Sequence, residues 1–191
     1  MRQTRHYTSY QEYLDHQASK TLAIHDGRLP IAAFGQRQGM MGLLLLDAAK
    51  YHAPGRALCL GARRGEEVAA LRSLGWDAIG IDIVPCEPWV TKGDFHHVEY
   101  PDASFELVYT NAVDHAFDLN RMLAEVRRVL VPGGLLYCHL DIGISDEWTS
   151  VFLGDIADFH ETLTGFSILV SESMPVVHGL NHKLIARKEA P

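Results

Sequence analysis

The strongest constraint on the fold is an alternation that sets in at Arg56 and runs to the end of the chain. Short apolar runs take turns with segments whose apolar residues recur three and four positions apart. A chain patterned in this way folds as a sheet with crossover helices, since a bundle would lack the runs and a sandwich the helical spacing. Residues 57–60 read as the first strand, and 66–74 as the first helix, stopped by Gly75. Residues 78–83 form the second strand, after which Pro85 and Pro88 argue against regular structure. Residues 105–109 are the third. Leu119, Met122, Leu123, Val126, Val129 and Leu130 then make the continuous apolar stripe of a helix. Residues 131–134 break that helix and lead into a strand at 135–140. The spacing of Trp148, Val151, Phe152, Ile156, Phe159 and Leu163 predicts a further helix from about 146 to 163. Two strands follow, 166–173 and about 180–187. The linker between them is shorter than the dozen or so residues that a crossover helix needs, so they pair antiparallel. The pattern predicts an α/β fold, a doubly wound parallel sheet ending in an antiparallel hairpin.

The first 55 residues differ in character. They carry six basic and four acidic residues, net +2, against 11 and 20, net −9, in residues 56–191. The shift marks residues 1–55 as an N-terminal helical cap, part of the same domain, on a core at 56–191. Helices are expected at 10–18 and 36–51, with turn chemistry from Asp26 to Pro30 between them. With 191 residues, 47% of them hydrophobic, the chain suits one domain with a sizeable core. The overall charge of −7 offers no broad basic surface to a nucleic acid. No apolar run approaches the roughly 18 to 20 residues that cross a bilayer, and the first ten residues are polar, so a soluble cytoplasmic protein is expected. Cys59, Cys86 and Cys138 are too few and too scattered for a disulfide framework and read as small buried hydrophobes.

One segment of the core carries chemistry. Residues 57–67, with Gly61, Ala62 and Gly65, read as strand, glycine turn and helix start, where unpaired backbone amides can meet a ligand. Asp82 follows Gly61 by 21 residues at the end of the next strand, beside Ile83, where a carboxylate can accept from both hydroxyls of a ribose. Asp94 and Phe95, after Gly93, suit the amino group and ring of an adenine. In these three blocks, and in Pro101 to Val108 and Arg128 to Gly134, the chain resembles the class I S-adenosylmethionine-dependent methyltransferases, in particular their type-11-like group.

The resemblance runs from about residue 56 to 141 and implies a Rossmann-like sheet of seven strands, five parallel-wound and a final antiparallel pair. It implies S-adenosylmethionine as cofactor, with the Gly61 to Gly65 loop beside its methionine part, Asp82 on the ribose, and Asp94 with Phe95 on the adenine. Ile83 and Asn111 are placed with this cofactor-binding set. Two positions depart from the family pattern: Cys59 stands where an acidic residue is usual, and Arg63 where a middle glycine is. The expectation is either a differently shaped loop or a cofactor amino-acid end held by other groups.

Methyl transfer from a sulfonium is an in-line displacement that needs alignment, a base where the acceptor is protonated, and no metal. Ligands in this fold sit beyond the C-terminal ends of the strands, which singles out Asn111, Asp114 and His115, then His139 and Asp141. His115 is the candidate base, with an ordinary pKa of about 6.5, and Asp114 its orienting partner. Asp114, His115, His139 and Asp141 are also of the types that hold metals. His96 and His97 read as loop residues. The cap is the natural cover of the pocket, with Tyr7, Tyr10, Tyr13, Phe34, Met40 and Met41 available to line it. A small cover favours a small-molecule acceptor, methylated on oxygen or nitrogen. Two other readings share part of this pattern: a non-catalytic binding module on the same fold, and a nicotinamide-dependent oxidoreductase, which lacks a second glycine beside a pyrophosphate because Arg63 and Arg64 stand there.

Overall fold

A computed structural model describes residues 1–29 and 32–190. Pro30, the end of the expected turn, lies outside them. In chain order the elements are β1 (Arg2–Gln3), α1 (Tyr10–His25), α2 (Phe34–Leu45), a 3-10 turn (Ala48–Lys50), β2 (Arg56–Leu60), α3 (Glu66–Ser73), β3 (Asp77–Asp82), β4 (Val90–Lys92) and β5 (Phe105–Thr110). A second 3-10 turn (Val113–His115) leads to α4 (Leu119–Val129), β6 (Leu130–Leu140), β7 (Val151–Phe152), α5 (Ile156–His160), β8 (Phe166–Val177) and β9 (Leu180–Lys188).

Seven strands form one sheet in the order β4-β3-β2-β5-β6-β9-β8. The first five are parallel; β9 pairs antiparallel with both β6 and β8, as the short linker requires. This is the Rossmann-like doubly wound sheet with its terminal hairpin. From β2 the chain winds outward through β3 and β4, then returns to the other side of β2 as β5. The strand order therefore reverses between β2 and β5, and the crevice at such a switch point is where ligands bind in open α/β sheets.

Period-two alternation splits the core between the two faces of the sheet. Ala57 and Cys59 of β2, Leu107 and Tyr109 of β5, and Leu135 and Tyr137 of β6 pack with Val68 and Leu71 of α3 and with Met41 and Leu45 of α2. Leu58, Leu60, Val108, Leu136 and Cys138 meet the α4 stripe and Phe159 of α5 on the other face. Both Met41 and Leu45 are fully buried. α2 is thus a layer of the sandwich, whereas α1 lies over the strand ends. All three cysteines are free, Cys59 and Cys138 buried and Cys86 half-buried.

The structure departs from the sequence expectations in four places. α1 runs on to His25, seven residues beyond the expected end. α2 spans Phe34–Leu45, and its expected tail is the separate 3-10 turn. Val90–Lys92, beyond the two prolines, forms the outer parallel strand on β3. The expected helix at 146–163 is broken into a turn, β7 and the five-residue α5. Asp146 Oδ1 accepts from Trp148 N and folds a turn there, and Asp155 caps α5 through Ala157 N, so two local carboxylates end the helical register on either side of Gly154. Val151 and Phe152 pair instead with Gln3 and Arg2 of β1.

Candidate active site

The switch point is built on backbone that glycine permits. Gly61, at the end of β2, has φ of 68°, and a Cβ there would stand 2.9 Å from the Ala112 Cβ. Gly65, at 81°, caps α3. Between them Arg63 adopts φ of 45°, in the left-handed region where a side chain costs about 1 to 2 kcal/mol. The loop therefore places a left-handed residue at the position where the family pattern has glycine. Asp82 holds it in place: Arg63 N donates to Asp82 Oδ2 at 3.0 Å and Val84 N to Asp82 Oδ1 at 2.9 Å. Each oxygen keeps a lone pair. Burial raises the Asp82 carboxyl above its ordinary range, against the pull of those two amide hydrogen bonds.

The first turn of α3 carries Glu66 and Glu67, both buried. Burial pushes the Glu67 carboxyl up to about 7, with Glu66 adding to it, and Glu67 faces Cys59 and Tyr109. Two acidic side chains at the helix start oppose a phosphate there, where a dinucleotide would place its pyrophosphate. Arg64 pairs with Glu66, and Arg37 Nε lies 3.7 Å from the same oxygen.

A narrow crevice of about 50 Å³ runs along the switch point, lined by Gly61, Arg63, Asp82, Ile83, Gly93, Asp94, Phe95, Ala112 and His115, and roofed by Tyr13, Gln17, Lys20 and Thr21 of α1. Of the expected cofactor-binding residues it brings together Gly61, Asp82, Ile83, Asp94 and Phe95. Asn111 lines a second cavity of about 280 Å³ instead, with Arg37, Asp114, Asp141, Trp148 and His178 among its walls. Ala62 is fully buried against the sheet, and Gly65 packs on Trp89. Lys20, Arg63 and His115 line both spaces, so the crevice and the cavity meet at these three side chains.

α1 closes the crevice through aromatic contacts and one polar relay. Tyr10 and Tyr13 pack on Phe117 with ring centroids 5.2 and 5.3 Å apart. The Tyr10 hydroxyl donates to Asp94 Oδ2, and His96 donates its backbone N–H to Asp94 Oδ1 at 2.8 Å. His96 Nδ1 lies 3.0 Å from the same oxygen, while its Nε2 accepts from Phe117 N at 3.1 Å and Asp118 N at 3.2 Å. Two amides donating to Nε2 place the ring proton on Nδ1, facing Asp94. Burial pulls the Asp94 carboxyl up, and the hydrogen bonds from His96 and Tyr10 more than offset it, leaving it below its ordinary range. His96 is thus a loop residue that is buried and tied down, whereas its neighbour His97 is exposed. Replacing His96 with alanine strands two amides, and we expect it to lower stability by about 2 to 3 kcal/mol, read by chemical denaturation.

His115 stands where the two spaces meet. Its Nδ1 lies 3.1 Å from the Trp148 carbonyl, which fixes the proton there and leaves Nε2 as the acceptor, 3.3 Å from Lys20 Nζ. Asp114 Oδ2 is 3.7 Å from Nδ1 and accepts instead from Thr149 Oγ1 at 3.4 Å. The carbonyl, more than the carboxylate, orients the ring. Burial lowers the His115 pKa below its ordinary value, with Asp114 opposing. Lys20 is paired in turn with Asp146 at 2.9 Å and sits 4.9 Å from the centre of the Trp148 ring. His139 lies apart from Asp114 and His115, packed on Tyr109 and Tyr137, and burial with nearby Lys183 takes it down to about 4. Among the described residues no three metal-ligating side chains converge.

An α/β domain with a carboxylate, a glycine turn and an acidic-aromatic pair at its switch point has the make-up of a nucleoside-binding fold. Residues 58–138 match the family model described as a methyltransferase domain. Over 105 residues the chain is 34% identical to a malonyl-[acyl-carrier protein] O-methyltransferase of Halorhodospira halophila, covering 47% of this chain and 35% of that protein. Over 100 residues it is 31% identical to a sterol 24-C-methyltransferase of Gibberella zeae, covering 52% and 24%. The chain thus spans about a quarter to a third of the length of these curated relatives. A solved structure, the 1,6-didemethyltoxoflavin-N1-methyltransferase of Burkholderia thailandensis with bound 1,6-didemethyltoxoflavin and S-adenosylhomocysteine, shares the fold with a TM-score of 0.72 at 19% identity, over 97% of this chain and 93% of that one. Residues 58–138 are thus similar to a methyltransferase domain, and the fold is the one seen in that solved methyltransferase.

Proposed function

We propose that the protein transfers a methyl group from S-adenosylmethionine to an oxygen or nitrogen of a small molecule. The observation that carries this reading is the junction at Lys20, Arg63 and His115, where a crevice bearing Asp82, Asp94 and Phe95 opens onto a separate polar cavity. Such a pair of spaces suits a donor in one and an acceptor in the other. When bound, the cofactor supplies a methyl activated on a sulfonium.

Asp82 accepts from the ribose hydroxyls with the lone pairs that Arg63 N and Val84 N leave free, and Phe95 covers the adenine. The Arg63 guanidinium, beside the left-handed turn, faces the carboxylate of the cofactor's amino-acid end. His115 Nε2 would take the acceptor's proton as the methyl is transferred, with Lys20 held beside it by its pairing with Asp146. Within residues 1–55, α1 serves as the cap, with four of its residues roofing the crevice, while α2 belongs to the core. No helix among the described residues is long and apolar enough to cross a membrane. The free cysteines suit the reducing cytoplasm.

Calorimetry with S-adenosylhomocysteine and NAD tests the donor, and turnover on a panel of hydroxyl and amine acceptors tests the transfer. Binding of NAD in preference to S-adenosylhomocysteine would overturn the reading. The crevice at about 50 Å³ is narrower than the roughly 300 Å³ of a small-ligand site, so α1 must yield on binding. Tyr10 already donates to Asp94 Oδ2 and competes with the adenine amino group for that oxygen. Tyr10→Phe removes that competitor, and we expect it to tighten S-adenosylhomocysteine binding by about three- to tenfold, read in the same calorimeter.

A further inference from the structure

Away from the switch point, a cleft opens between the end of α2 and the β8-β9 hairpin, and it shares no wall residue with the crevice or the polar cavity. His139, Lys183 and Glu172 stand opposite one another on β6, β9 and β8, so all three project from one face of the sheet and form the floor. Leu44 and Leu46 make one wall, and Met174, Pro175 and Val177 the other. The volume of about 460 Å³ falls within the roughly 300 to 1,000 Å³ of small-molecule sites. At the lip, Leu43 and Leu46 are 77% and 62% exposed, an apolar surface left in solvent.

The floor holds a polar atom that the fold does not satisfy. His139 is 1% exposed, and its Nε2 has no hydrogen-bond partner among the described residues. Its Nδ1 lies 3.1 Å from the hydroxyl of Tyr109, which is fully buried and meets no other polar partner among the described residues. That hydroxyl needs an acceptor for its proton, so Nδ1 accepts it and the ring's own proton sits on Nε2. Burial, with Lys183 nearby, takes the ring's pKa down to about 4, which keeps it neutral and in this one tautomer at neutral pH. The result is a buried N–H donor at the base of an apolar cleft, with no acceptor to meet. Leaving such a donor unpaired is costly, and an acceptor on a ligand offsets the cost.

The charged side chains around it cancel, Asp47 and Glu172 against Lys50 and Lys183. Lys183 donates to Asp47 at 2.9 Å and lies 2.7 Å from Glu172, and Asp47 also accepts from the Tyr137 hydroxyl at 2.8 Å. A carboxylate entering here would meet two fixed carboxylates that already share one lysine. We propose that the cleft binds a small neutral molecule with an apolar body and one carbonyl oxygen, which accepts from His139 Nε2 while the body covers Leu46, Met174 and Val177.

Three probes decide it: acetophenone, its near-isostere ethylbenzene without the carbonyl, and benzoate, each titrated by NMR into the full chain and read at Leu43, Leu46 and His139. We expect acetophenone to bind about tenfold tighter than either of the others. Nitrogen shifts of the His139 ring should show the proton on Nε2, and acetophenone should move that signal where ethylbenzene does not. His139→Phe keeps a ring and removes the N–H, and should make acetophenone and ethylbenzene equal. Leu46→Ser, on the exposed lip, should weaken both by about threefold and keep their ratio, and with the ring shifts it tests the site even if His139→Phe does not fold. Equal binding of acetophenone and ethylbenzene to the wild type, a preference for acetophenone that survives in His139→Phe, tighter binding of benzoate, or a ring proton on Nδ1 would each overturn the proposal. So would a dimer in sedimentation that Leu46→Ser dissociates, since a second copy would then be what covers the lip.

Discussion

Asp82→Ala is expected to cost S-adenosylhomocysteine affinity by a factor of roughly 100 or more, because hydrogen bonds to a charged acceptor are worth about 1.5 to 3 kcal/mol each and a ribose makes two. The structure adds a second route to the same loss. Asp82 Oδ2 is what holds Arg63 N, and with it the left-handed turn, so the alanine variant also releases strain that the loop keeps in the binding geometry. Asp82→Asn separates the two effects: it retains an acceptor for Arg63 N while removing the charge. Asp94→Ala should cost less, since Asp94 meets a single amino group and must first give up Tyr10. Calorimetry on the three variants checks the order. Equal losses at Asp82 and Asp94, or an unchanged affinity in Asp82→Ala, would remove the ribose assignment.

What the sequence made legible follows the physics of each element. The strands and α4 were readable because their apolar residues are there for the core and nothing else: every residue of the α4 stripe is buried. α1 was readable at its start, and there Ser9 accepts from Glu12 N while the Glu12 carboxylate accepts from Thr8 N, so the first turn is capped locally. Its second half was not, because Gln17, Lys20 and Thr21 face a crevice and not a core, and a polar lining carries no periodic signal. The segment from Asp146 misled for the opposite reason. Its apolar spacing is helical, yet Val151 is buried by a strand at the other end of the chain, a pairing that no local pattern records. At the site, Asp82 and the glycine turn were visible as a motif. His96 was hidden because its role depends on two amides 21 and 22 residues away. Arg63 stood out as a departure from the family's glycine, and the sequence could not show that its backbone is left-handed there.

His115→Asn is expected to lower turnover by about 10² to 10⁴-fold, the usual worth of a positioned proton transfer, with cofactor affinity nearly unchanged. Asparagine preserves a donor toward the Trp148 carbonyl and much of the ring's volume, so the variant removes the acceptor nitrogen and little else. The pH dependence sharpens the test. Because burial depresses the His115 pKa, the rising limb of the turnover profile should lie below the ordinary imidazole value of about 6.5, and turnover should be flat above it. The same depression makes the unfolded chain bind more protons than the fold as pH falls through 6.5, so wild type should lose stability there, and His115→Asn should lose that part of its acid sensitivity. Lys20 supplies the control. Its Nζ faces the lone pair that must take the proton, so Lys20→Met should keep the limb but shift it upward, because a positive neighbour that lowers the pKa is gone. Turnover rates of the three proteins across pH, with binding of S-adenosylhomocysteine measured alongside, separate the cases. A limb that survives in His115→Asn would assign the proton to another group, and a loss of cofactor affinity without loss of the limb would make His115 a wall of the crevice and not its base.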